Sequence, residues 1–476
     1  MKLRVYNTLS KHKEEFVPIT EKAVRMYVCG VTPYNHPHIG NARPPVVWDV
    51  IRRYLEHRGF SVAYVSNFTD VDDKIINTAI AENVSWKTIA DRYIAAYYAV
   101  MDKLNVRRAD DYPRVSEHMP EIIEMVDTLV KKDFAYVVDG DVYFAVEKFA
   151  GYGKLSGRNL EDMQAGARVD IDERKNNPLD FALWKTAKPG EPFWESPWGA
   201  GRPGWHIECS AMSIKYLGDT FDFHGGGSDL VFPHHENEIA QTEAYTGKPF
   251  VNYWLHNGFI TINQEKMSKS LGNFSLVSDI LQHYSGEALR LFIANTHYRS
   301  PLDFSDERLI EAEKNLEKIS KARDNLQLLE KAVVNSNSDD AALLRIDSLR
   351  NDFYAAMDDD FNTALAFSVM FALMKEINNC LQEHQHADKV VGLKFYTAVS
   401  GLFNDIIAIF GILEQEVSAN AGNDELVEKL MELVVSLRQD ARAKKDWAAS
   451  DAIRNQLTAI GIALEDGKDG VKWKLK

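Results

Sequence analysis

Residues 24–68 follow the pattern of a strand, a loop, a helix and a second strand. A short apolar run at 24–30 precedes a Pro-rich turn, helical spacing extends over 46–59, and a second apolar run covers 61–68. Such a β-α-β unit builds a parallel sheet, which binds ligands at the carboxyl ends of its strands. We therefore expect an α/β fold with Cys29, at the end of the first strand, on the ligand-binding edge.

Helices and a hairpin are predicted next, followed by an irregular segment. Apolar spacing predicts helices at 85–104 and 117–132, and the alternation at 137–144 is typical of a hairpin. Residues from about 151 to 204 are rich in Gly, Pro and Trp and show little periodicity. This composition indicates an insertion or a long functional loop rather than the core of a sheet.

The parallel sheet is expected to resume at residues 220–223. We predict that this strand ends in a three-glycine turn at 225–227 and leads to a helix that begins at Pro233 and closes at Gly247. The segment between that helix and Gly286 is interpreted as another functional loop.

The C-terminal third is predominantly helical. Apolar spacing with few glycines predicts a helix bundle up to Phe410, and a polar stretch at 414–423 indicates a linker. Two helices and a hairpin around 464–473 are expected to follow. The predicted organisation is a Rossmann-type parallel-sheet catalytic domain at 1–305 with an insertion at about 115–204, an α-helical bundle at 306–412, and a small mixed α/β C-terminal domain at 413–476.

Length and charge limit the class of protein. At 476 residues the chain exceeds one ordinary domain of about 100 to 200 residues, so several domains are expected. The formal net charge of −15 argues against a nonspecific nucleic-acid binder, because phosphate contacts need concentrated lysine and arginine. Any RNA binding must come from a local basic patch such as the one at 438–445.

The sequence predicts neither a membrane segment nor a disulfide framework. No uninterrupted apolar stretch approaches the ~18 residues needed to cross a bilayer, and the N-terminus lacks the apolar core of a secretory signal. Three cysteines, an odd number, are spread along the whole chain at Cys29, Cys209 and Cys380. This usage favours a reducing compartment, so we expect a cytoplasmic protein that does not contact a membrane.

Two short motifs indicate nucleotide chemistry. The pentapeptide KMSKS at 266–270 places two lysines on a small-residue loop that suits a pyrophosphate, although a lone basic loop is more often a solvated surface. The tetrapeptide HIGN lies far upstream at 38–41. The pairing of these motifs in this order resembles the signature of the class I aminoacyl-tRNA synthetases.

A second group of residues has the chemistry of a metal site. Cys209, His234 and Glu238 fall within thirty residues, and the last two, four apart on a predicted helix, project from one face. Thiolate, imidazole and carboxylate suit zinc, and Cys29 would complete a set of four. Taken singly, a cysteine is most often a small buried apolar residue and a histidine a structural one. A zinc-protease helix is excluded, because that motif needs a histidine where Ile239 stands.

Longer segments carry a closer resemblance. GRPGWHIECSAM at 201–212, HGGGSDL at 224–230 and FPHHENE at 232–238 resemble the cysteinyl-tRNA synthetase family, and the resemblance extends over essentially the whole chain. It implies ATP-dependent ligation of L-cysteine to tRNA(Cys) through a cysteinyl-adenylate. It also implies one zinc ion per chain, which recognises the substrate thiolate, and Mg²⁺ that accompanies ATP.

The resemblance further implies roles for individual residues. The zinc ligands would be Cys29, Cys209, His234 and Glu238, and the substrate's own sulfur would join the metal. The catalytic phosphate contacts would be His38, Lys266 and Lys269. ATP would be bound by His38, Gly40, Asn41, Gly226, Asp229, Lys266, Ser268 and Lys269. The cysteine pocket would include Thr32, Thr69, Trp205 and His224. The anticodon contacts would be Arg442, Trp447 and Asp451.

One of these positions departs from the family pattern, and two others have an alternative interpretation. Asn41 stands where class I members commonly have histidine, which keeps hydrogen bonding but removes any positive charge. Ordinary core packing is the alternative for Trp205. A capped amphipathic helix with Trp447 in the core is the alternative for the anticodon element.

Three functions are compatible with these patterns: a tRNA ligase, a ligase that joins activated cysteine to an amino sugar, and a zinc hydrolase or noncatalytic zinc protein. A sugar ligase would share the metal and nucleotide residues but would have no use for a basic, anticodon-like terminus. A hydrolase would not need both phosphate motifs. The patterns therefore favour the tRNA ligase, which we expect to be a monomer.

Overall fold

The computed structural model describes residues 2–159, 174–262, 265–266, 275–334, 340–387, 390–413, 431, 433–444, 446–459, 462–467 and 470–475. They belong to two compact units, Met1–Ile412 and Leu413–Lys476, each of which is described by itself. Most of the KMSKS motif lies outside the described residues.

Strands and helices alternate through the first half of the chain, and helices dominate the second. The strands are β1 (Arg4–Asn7), β2 (His12–Glu15), β3 (Ala23–Val31), β4 (Ser61–Phe68), β5 (Ala135–Val138), β6 (Asp141–Phe144), β7 (Phe181–Thr186), β8 (Gly201–Pro203), β9 (Phe221–Gly227), β10 (Val251–Asn257), β11 (Ile260–Ile262), β12 (Glu265–Lys266), β13 (Leu302–Phe304), β14 (Val333–Val334), β15 (Val391–Gly392), β16 (Ile462–Gly467) and β17 (Gly470–Leu475). The helices are α1 (Ile39–His57), α2 (Asp73–Glu82), α3 (Trp86–Lys103), α4 (Met119–Lys131), α5 (Trp205–Leu217), α6 (Glu236–Thr246), α7 (Val277–Ile280), α8 (Gly286–Ala294), α9 (Asp306–Lys331), α10 (Asp340–Asp358), α11 (Thr363–Ala387), α12 (Leu393–Phe410) and α13 (Trp447–Ala459).

A four-stranded parallel sheet forms the centre of the first unit, in the order β10-β9-β3-β4. Helix α1 connects β3 to β4, which confirms the predicted β-α-β unit and the α/β fold class. Helix α1 packs against β4, and helix α5 packs against β3 and β4. Strands β9 and β10 and the second half of β4 are almost continuously buried, as parallel strands usually are. The carboxyl ends of all four strands therefore meet at one edge.

A separate antiparallel sheet, in the order β5-β6-β7-β8, lies between β4 and β9 along the chain. Its first two strands confirm the hairpin predicted at 137–144. Helix α4 packs against this sheet, and their apolar side chains share one core with α5 and α6. The insertion is thus joined to the catalytic sheet by buried contacts.

Four long helices, α9 to α12, confirm the predicted helical segment before Phe410. By length and composition, the ranges Thr363–His386 and Leu393–Phe410 are apolar enough to cross a membrane, with hydropathies of 1.2 and 1.3. Core helices of a bundle meet the same criteria, and both of these contribute fully buried side chains such as Phe367 and Phe403. The absence of membrane contact stays a prediction.

The second unit contains the two helices and the hairpin predicted for the end of the chain. Helical backbone covers 433–443, helix α13 follows, and β16 pairs antiparallel with β17. Leu464 lies opposite Trp473 in this hairpin.

Two local predictions on the ligand side of the sheet are wrong. The three glycines at 225–227 do not form a turn but are the last residues of β9, and Gly225 pairs with Leu255 of β10 and with Val28 of β3. Glycine is needed there for packing, because a Cβ at Gly225 would lie only 1.8 Å from the ring of Trp48 on α1.

The following helix also begins later than predicted. Residues Val231–His235 form a single π-type turn, interrupted by extended backbone at Phe232 (φ −140°, ψ 130°), and the regular helix α6 starts at Glu236 instead of Pro233. Gly247 closes this helix in the left-handed conformation, as predicted.

Gly225→Ala is expected to destabilise the first unit by about 3 kcal/mol, because the added methyl group overlaps the ring of Trp48 inside a packed core. Urea unfolding followed by tryptophan fluorescence measures the effect. Gly401→Ala in α12 is the matched control: the nearest neighbour of its Cβ is Arg350, at 3.7 Å, so it should be neutral or stabilising. Equal unfolding midpoints for the two variants would contradict the role of Gly225.

Candidate active site

The four predicted metal-binding residues come together at the carboxyl edge of the sheet. Cys29 lies near the end of β3, Cys209 on α5, His234 in the π-type turn and Glu238 on α6. One ligand atom from each lies within 4.8 Å of the others. The Cys29 and Cys209 sulfurs are 3.8 Å apart, and His234 Nε2 lies 3.0 Å from Glu238 Oε1. A cation could therefore contact all four side chains.

The charges of these side chains depend on one another. Burial alone would raise the pKa of Glu238, but His224 and His234 outweigh it and hold this pKa well below its usual value. Burial alone would lower the pKa of His234, but the Glu238 carboxylate and the Cys209 sulfur raise it to about 10. The hydrogen bond from Cys29 is the main cause that lowers the pKa of Cys209 to about 6, whereas burial raises the pKa of Cys29.

This donor set fits zinc. The set combines two sulfurs, one imidazole nitrogen and one carboxylate oxygen. These are the ligand types that Zn²⁺ prefers. A thiolate and a carboxylate buried together repel each other unless a cation lies between them. Among these four described side chains, only the protonated His234 carries a positive charge.

A second set of possible ligands, Cys29, His224, His235 and Glu238, overlaps the first. Glu238 connects the two sets through its two oxygens: Oε1 lies near His234, and Oε2 lies 2.8 Å from His224 Nε2. The first set contains both sulfurs, which favours it for a soft cation. His224 then belongs to the surroundings of Glu238, where it orients the carboxylate.

Three more histidines surround the cluster, and the sequence analysis did not assign them. His235 Nε2 is 3.3 Å from Cys29 Sγ, and His235 Nδ1 is 2.8 Å from His256 Nε2. His206 Nδ1 is 2.9 Å from His234 Nδ1. Burial lowers the pKa of His256 to about 3 and those of His206 and His235 well below the usual value, so all three are neutral at pH 7. For one of the three, His235, the sequence offered a signal, because it directly follows the predicted ligand His234.

The predicted cysteine-pocket residues lie around the same edge. The indole of Trp205 stacks on the His234 ring with 4.3 Å between centroids, and this residue is 43% exposed, so the core-packing alternative is wrong. His224 is buried in β9 against Trp254. Thr32 directly follows β3, and Thr69 directly follows β4, where its N–H donates to the Val31 carbonyl at 3.1 Å.

A cleft of about 370 Å³ opens beside the cluster of four predicted metal ligands. Cys29 belongs to this cluster and also lines the cleft. Four residues predicted to bind ATP line it: His38, Gly40, Asn41 and Asp229. Gly226 directly precedes Gly227, which lines the cleft. A Cβ at Gly226 would lie 3.0 Å from Cε1 of His235. Residues 257–260 form another wall and lie in the segment that was interpreted as a functional loop; the sequence missed that this segment begins with β10, a strand of the parallel sheet.

Asn41, which stands where class I members commonly have histidine, makes a structural contact at the start of α1. It is the third residue of α1, and its side-chain oxygen accepts a hydrogen bond from the backbone N–H of His38 at 3.2 Å. An amide oxygen at this position helps to cap the helix. A positive charge is not needed for that contact.

The remaining predicted residues belong to other parts of the chain. The backbone of Lys266 lies in β12, paired with Thr261, whereas Ser268, Lys269 and the Lys266 side chain lie outside the described residues. Arg442, Trp447 and Asp451 are exposed in the second unit. Trp447 is 59% exposed, so its placement in a core is wrong.

Comparisons with known proteins cover nearly the whole chain. Residues 15–314 match the family profile described as the tRNA synthetases class I (C) catalytic domain, 352–414 match the DALR domain, and 434–473 match the cysteinyl-tRNA ligase anticodon binding domain. A cysteine–tRNA ligase from Pelotomaculum thermopropionicum is 56% identical over 484 residues, which cover 99% of both chains. One from Carboxydothermus hydrogenoformans is 53% identical over 480 residues, covering 99% of this chain and 100% of the relative.

The fold is also similar to that of a solved synthetase of different specificity. A structure of Mycobacterium tuberculosis methionyl-tRNA synthetase with methionyl-adenylate aligns with a TM-score of 0.62. The alignment covers 82% of this chain and 92% of the other, at 14% sequence identity. At that identity the similarity supports the fold alone.

Proposed function

The chain belongs to the cysteinyl-tRNA synthetase family of class I, and we propose that it selects cysteine with zinc and activates it with ATP in one continuous cleft. The activity itself is that of a cysteine–tRNA ligase, with cysteine, ATP and tRNA(Cys) as substrates. One observation carries the proposal: the four donor atoms cluster within 4.8 Å beside the cleft, and Cys29 belongs to both.

In this proposal, Cys29, Cys209, His234 and Glu238 hold one zinc ion per chain. When bound, zinc supplies a soft Lewis acid that prefers a thiolate to a hydroxyl. His224 holds the Glu238 carboxylate in place through its 2.8 Å contact. Trp205 covers one face of His234, which limits the access of water to the ligand. Thr32, Thr69, Trp205 and His224 then form the surroundings of the bound amino acid.

The chemistry requires positioning of two charged substrates. In the first step the cysteine carboxylate attacks the α-phosphate of ATP, the bond to the β-phosphate breaks and pyrophosphate leaves. In the second step a ribose hydroxyl at the end of tRNA attacks the acyl carbon, and AMP leaves. No covalent bond to the protein forms, so catalysis comes from orientation and from stabilising developing charge.

We assign the nucleotide contacts to residues of the cleft and of the KMSKS motif. His38, Lys266 and Lys269 neutralise the phosphates in the transition state, and Ser268 adds a hydroxyl donor. Gly40 allows close approach of the backbone, Gly226 is assigned to the same site next to Gly227 of the cleft wall, Asn41 caps α1, and Asp229 accepts from the ribose. Mg²⁺ is expected to accompany ATP.

The second unit is proposed to read the anticodon. Exposed Trp447 can stack on an unpaired base, and the exposed Arg442 and Asp451 can bind base edges or the backbone. We propose domain limits of 1–305, 306–412 and 413–476, with the insertion at about 115–204. The division of the structure at Ile412 supports the last limit. We further propose a monomer in the cytoplasm.

The expected result is cysteine-dependent exchange of labelled pyrophosphate into ATP, followed by charging of tRNA(Cys). Exchange requires only the first step, and charging requires both, so the two assays separate adenylate formation from transfer. Omission of cysteine is the control for exchange. Exchange without charging would favour a ligase that acts on an amino sugar, and absence of exchange in metal-replete protein would contradict the proposal.

A further inference from the structure

Arg43 is a buried arginine in the second turn of α1, two residues beyond Asn41. The residue is 1% exposed, and no carboxylate among the described residues forms an ion pair with it. Its guanidinium donates instead to backbone carbonyls. Nη1 donates to Gly258 O at 2.8 Å and to Phe259 O at 2.7 Å, and Nη2 donates to Tyr298 O at 3.1 Å and to Ser300 O at 2.5 Å.

These carbonyls belong to two loops that meet over the guanidinium. The first loop, at 258–259, joins β10 to β11 and forms a wall of the nucleotide cleft. The second, at 297–300, joins α8 to β13. The loops are also hydrogen-bonded to each other, since Gly258 N donates to Tyr298 O at 2.8 Å and Leu302 N donates to Phe259 O at 2.9 Å.

The two loops approach so closely that a side chain cannot fit between them. A Cβ at Gly258 would lie 2.5 Å from Ser300 O and 2.7 Å from Arg299 O. Several carbonyl oxygens are therefore crowded together in a buried space. A cation with donors in one plane compensates for this concentration of partial negative charge.

The second loop is also fixed on its opposite side. Asp360, in the turn between α10 and α11, accepts hydrogen bonds from Tyr298 Oη at 2.8 Å and from Arg299 Nε at 2.7 Å. Its carboxylate is fully buried. Arg43 thus adds a buried side-chain contact between the cleft wall and a loop already anchored on the helical bundle.

We infer that Arg43 is a positioning residue for the nucleotide, which holds the cleft wall at 258–260 and the start of the hairpin that leads to Lys266. This inference rests on the proposed ATP site. Arg43 borders the cleft, but both of its Nη atoms are bound to backbone carbonyls, so its proposed action is through Gly258 and Phe259, whose carbonyls it binds. The four predicted metal ligands lie on other elements than α1, and the hydrogen bonds observed for Arg43 among the described residues involve none of them.

Arginine is suited to this position because its fork carries five N–H donors in one plane. Lysine keeps the charge but has three donors on one nitrogen and cannot span both loops. Methionine keeps much of the volume but offers no donor. Burial lowers the pKa of Arg43 to about 10, so the guanidinium remains charged at neutral pH.

The test compares Arg43→Lys and Arg43→Met with the unaltered chain in pyrophosphate exchange. The KM for ATP is expected to rise on the order of tenfold or more in Arg43→Lys and further in Arg43→Met, because a displaced wall misaligns the nucleotide. The KM for cysteine should stay within about twofold, and zinc content should not change. Calorimetric titration with a nonhydrolysable ATP analogue should show the same loss of affinity without turnover.

Arg290→Lys is the matched control. Arg290 is equally buried and also binds backbone carbonyls, those of Leu104, Asn105 and Phe410, but it pairs with Asp49, and neither residue is among those that line the cleft. This variant should lower the thermal midpoint without raising the KM for ATP relative to that for cysteine.

Three results would overturn the inference: an unchanged KM for ATP in folded Arg43→Lys, an equal rise of both KM values, or failure of Arg43→Lys to fold. The last would make Arg43 a general core residue. A failure of the proposed function would differ, because the unaltered chain would then show no exchange at all.

Discussion

Cys209→Ser is expected to remove zinc and to reduce the kcat/KM for cysteine in pyrophosphate exchange by more than about 100-fold. Changes to partners that only orient a metal ligand reduce metal affinity or activity by 10- to 100-fold, so loss of a ligand itself should exceed that range. Cys209 contributes the sulfur with the lowered pKa, about 6, and serine has no comparable acidity. Metal analysis of the purified chain and exchange at varied cysteine concentrations measure the two effects.

Cys380→Ser is the matched control for this substitution. Cys380 lies on α11 in the helical bundle and is half-buried, and it belongs to neither set of possible metal ligands in the described part of the chain. The same atomic change there should leave zinc content and the KM for cysteine unaltered. If Cys209→Ser retained a full complement of zinc and normal affinity for cysteine, the proposed ligand set would be wrong.

The second large effect is the selection of cysteine over serine. We expect the ratio of kcat/KM values in pyrophosphate exchange to exceed about 10⁴, although the two substrates differ only by sulfur and oxygen. A pocket that relies on shape and apolar contacts separates such similar side chains by only about 10- to 200-fold, so a specific contact to the sulfur must supply the rest. The thiolate, imidazole and carboxylate beside the cleft provide a candidate metal site for that contact.

Selectivity should depend on the metal rather than on the pocket alone. In chain stripped of zinc with a chelator, the ratio is expected to fall to about 100 or below, and readdition of zinc should restore it. A ratio above 10⁴ that survives complete removal of the metal would show that other residues distinguish the two amino acids. A ratio near 100 in the zinc-loaded chain would contradict the assigned role of the site.

The residue types of the site could be predicted because their chemistry and their place in the fold are both local properties of the sequence. Cys29 follows an apolar run that ends at a glycine, which indicates the carboxyl end of a parallel strand. His234 and Glu238 are four residues apart, which places them on one face even though the turn before α6 is irregular. The structure brings these residues together with Cys209, as predicted.

The glycines at 225–227 illustrate why the rest could not be predicted. Consecutive glycines usually indicate a turn, and nothing near them in the sequence reveals that the Trp48 ring lies against the strand. The same applies to His256, whose contact with His235 joins two elements, and to Arg43, whose partners lie more than two hundred residues away.

Strand and helix periodicity and the donor chemistry of the predicted metal ligands follow from the order of residues, so the sequence alone determined the fold class, and its resemblance to a known family indicated the kind of reaction. Only the tertiary structure decided which histidines surround the predicted metal ligands, which contact Asn41 makes and which buried arginine holds the cleft wall. The physical reason is that these are contacts between residues remote in sequence, and close packing of α1, β9 and the two loops sets their distances.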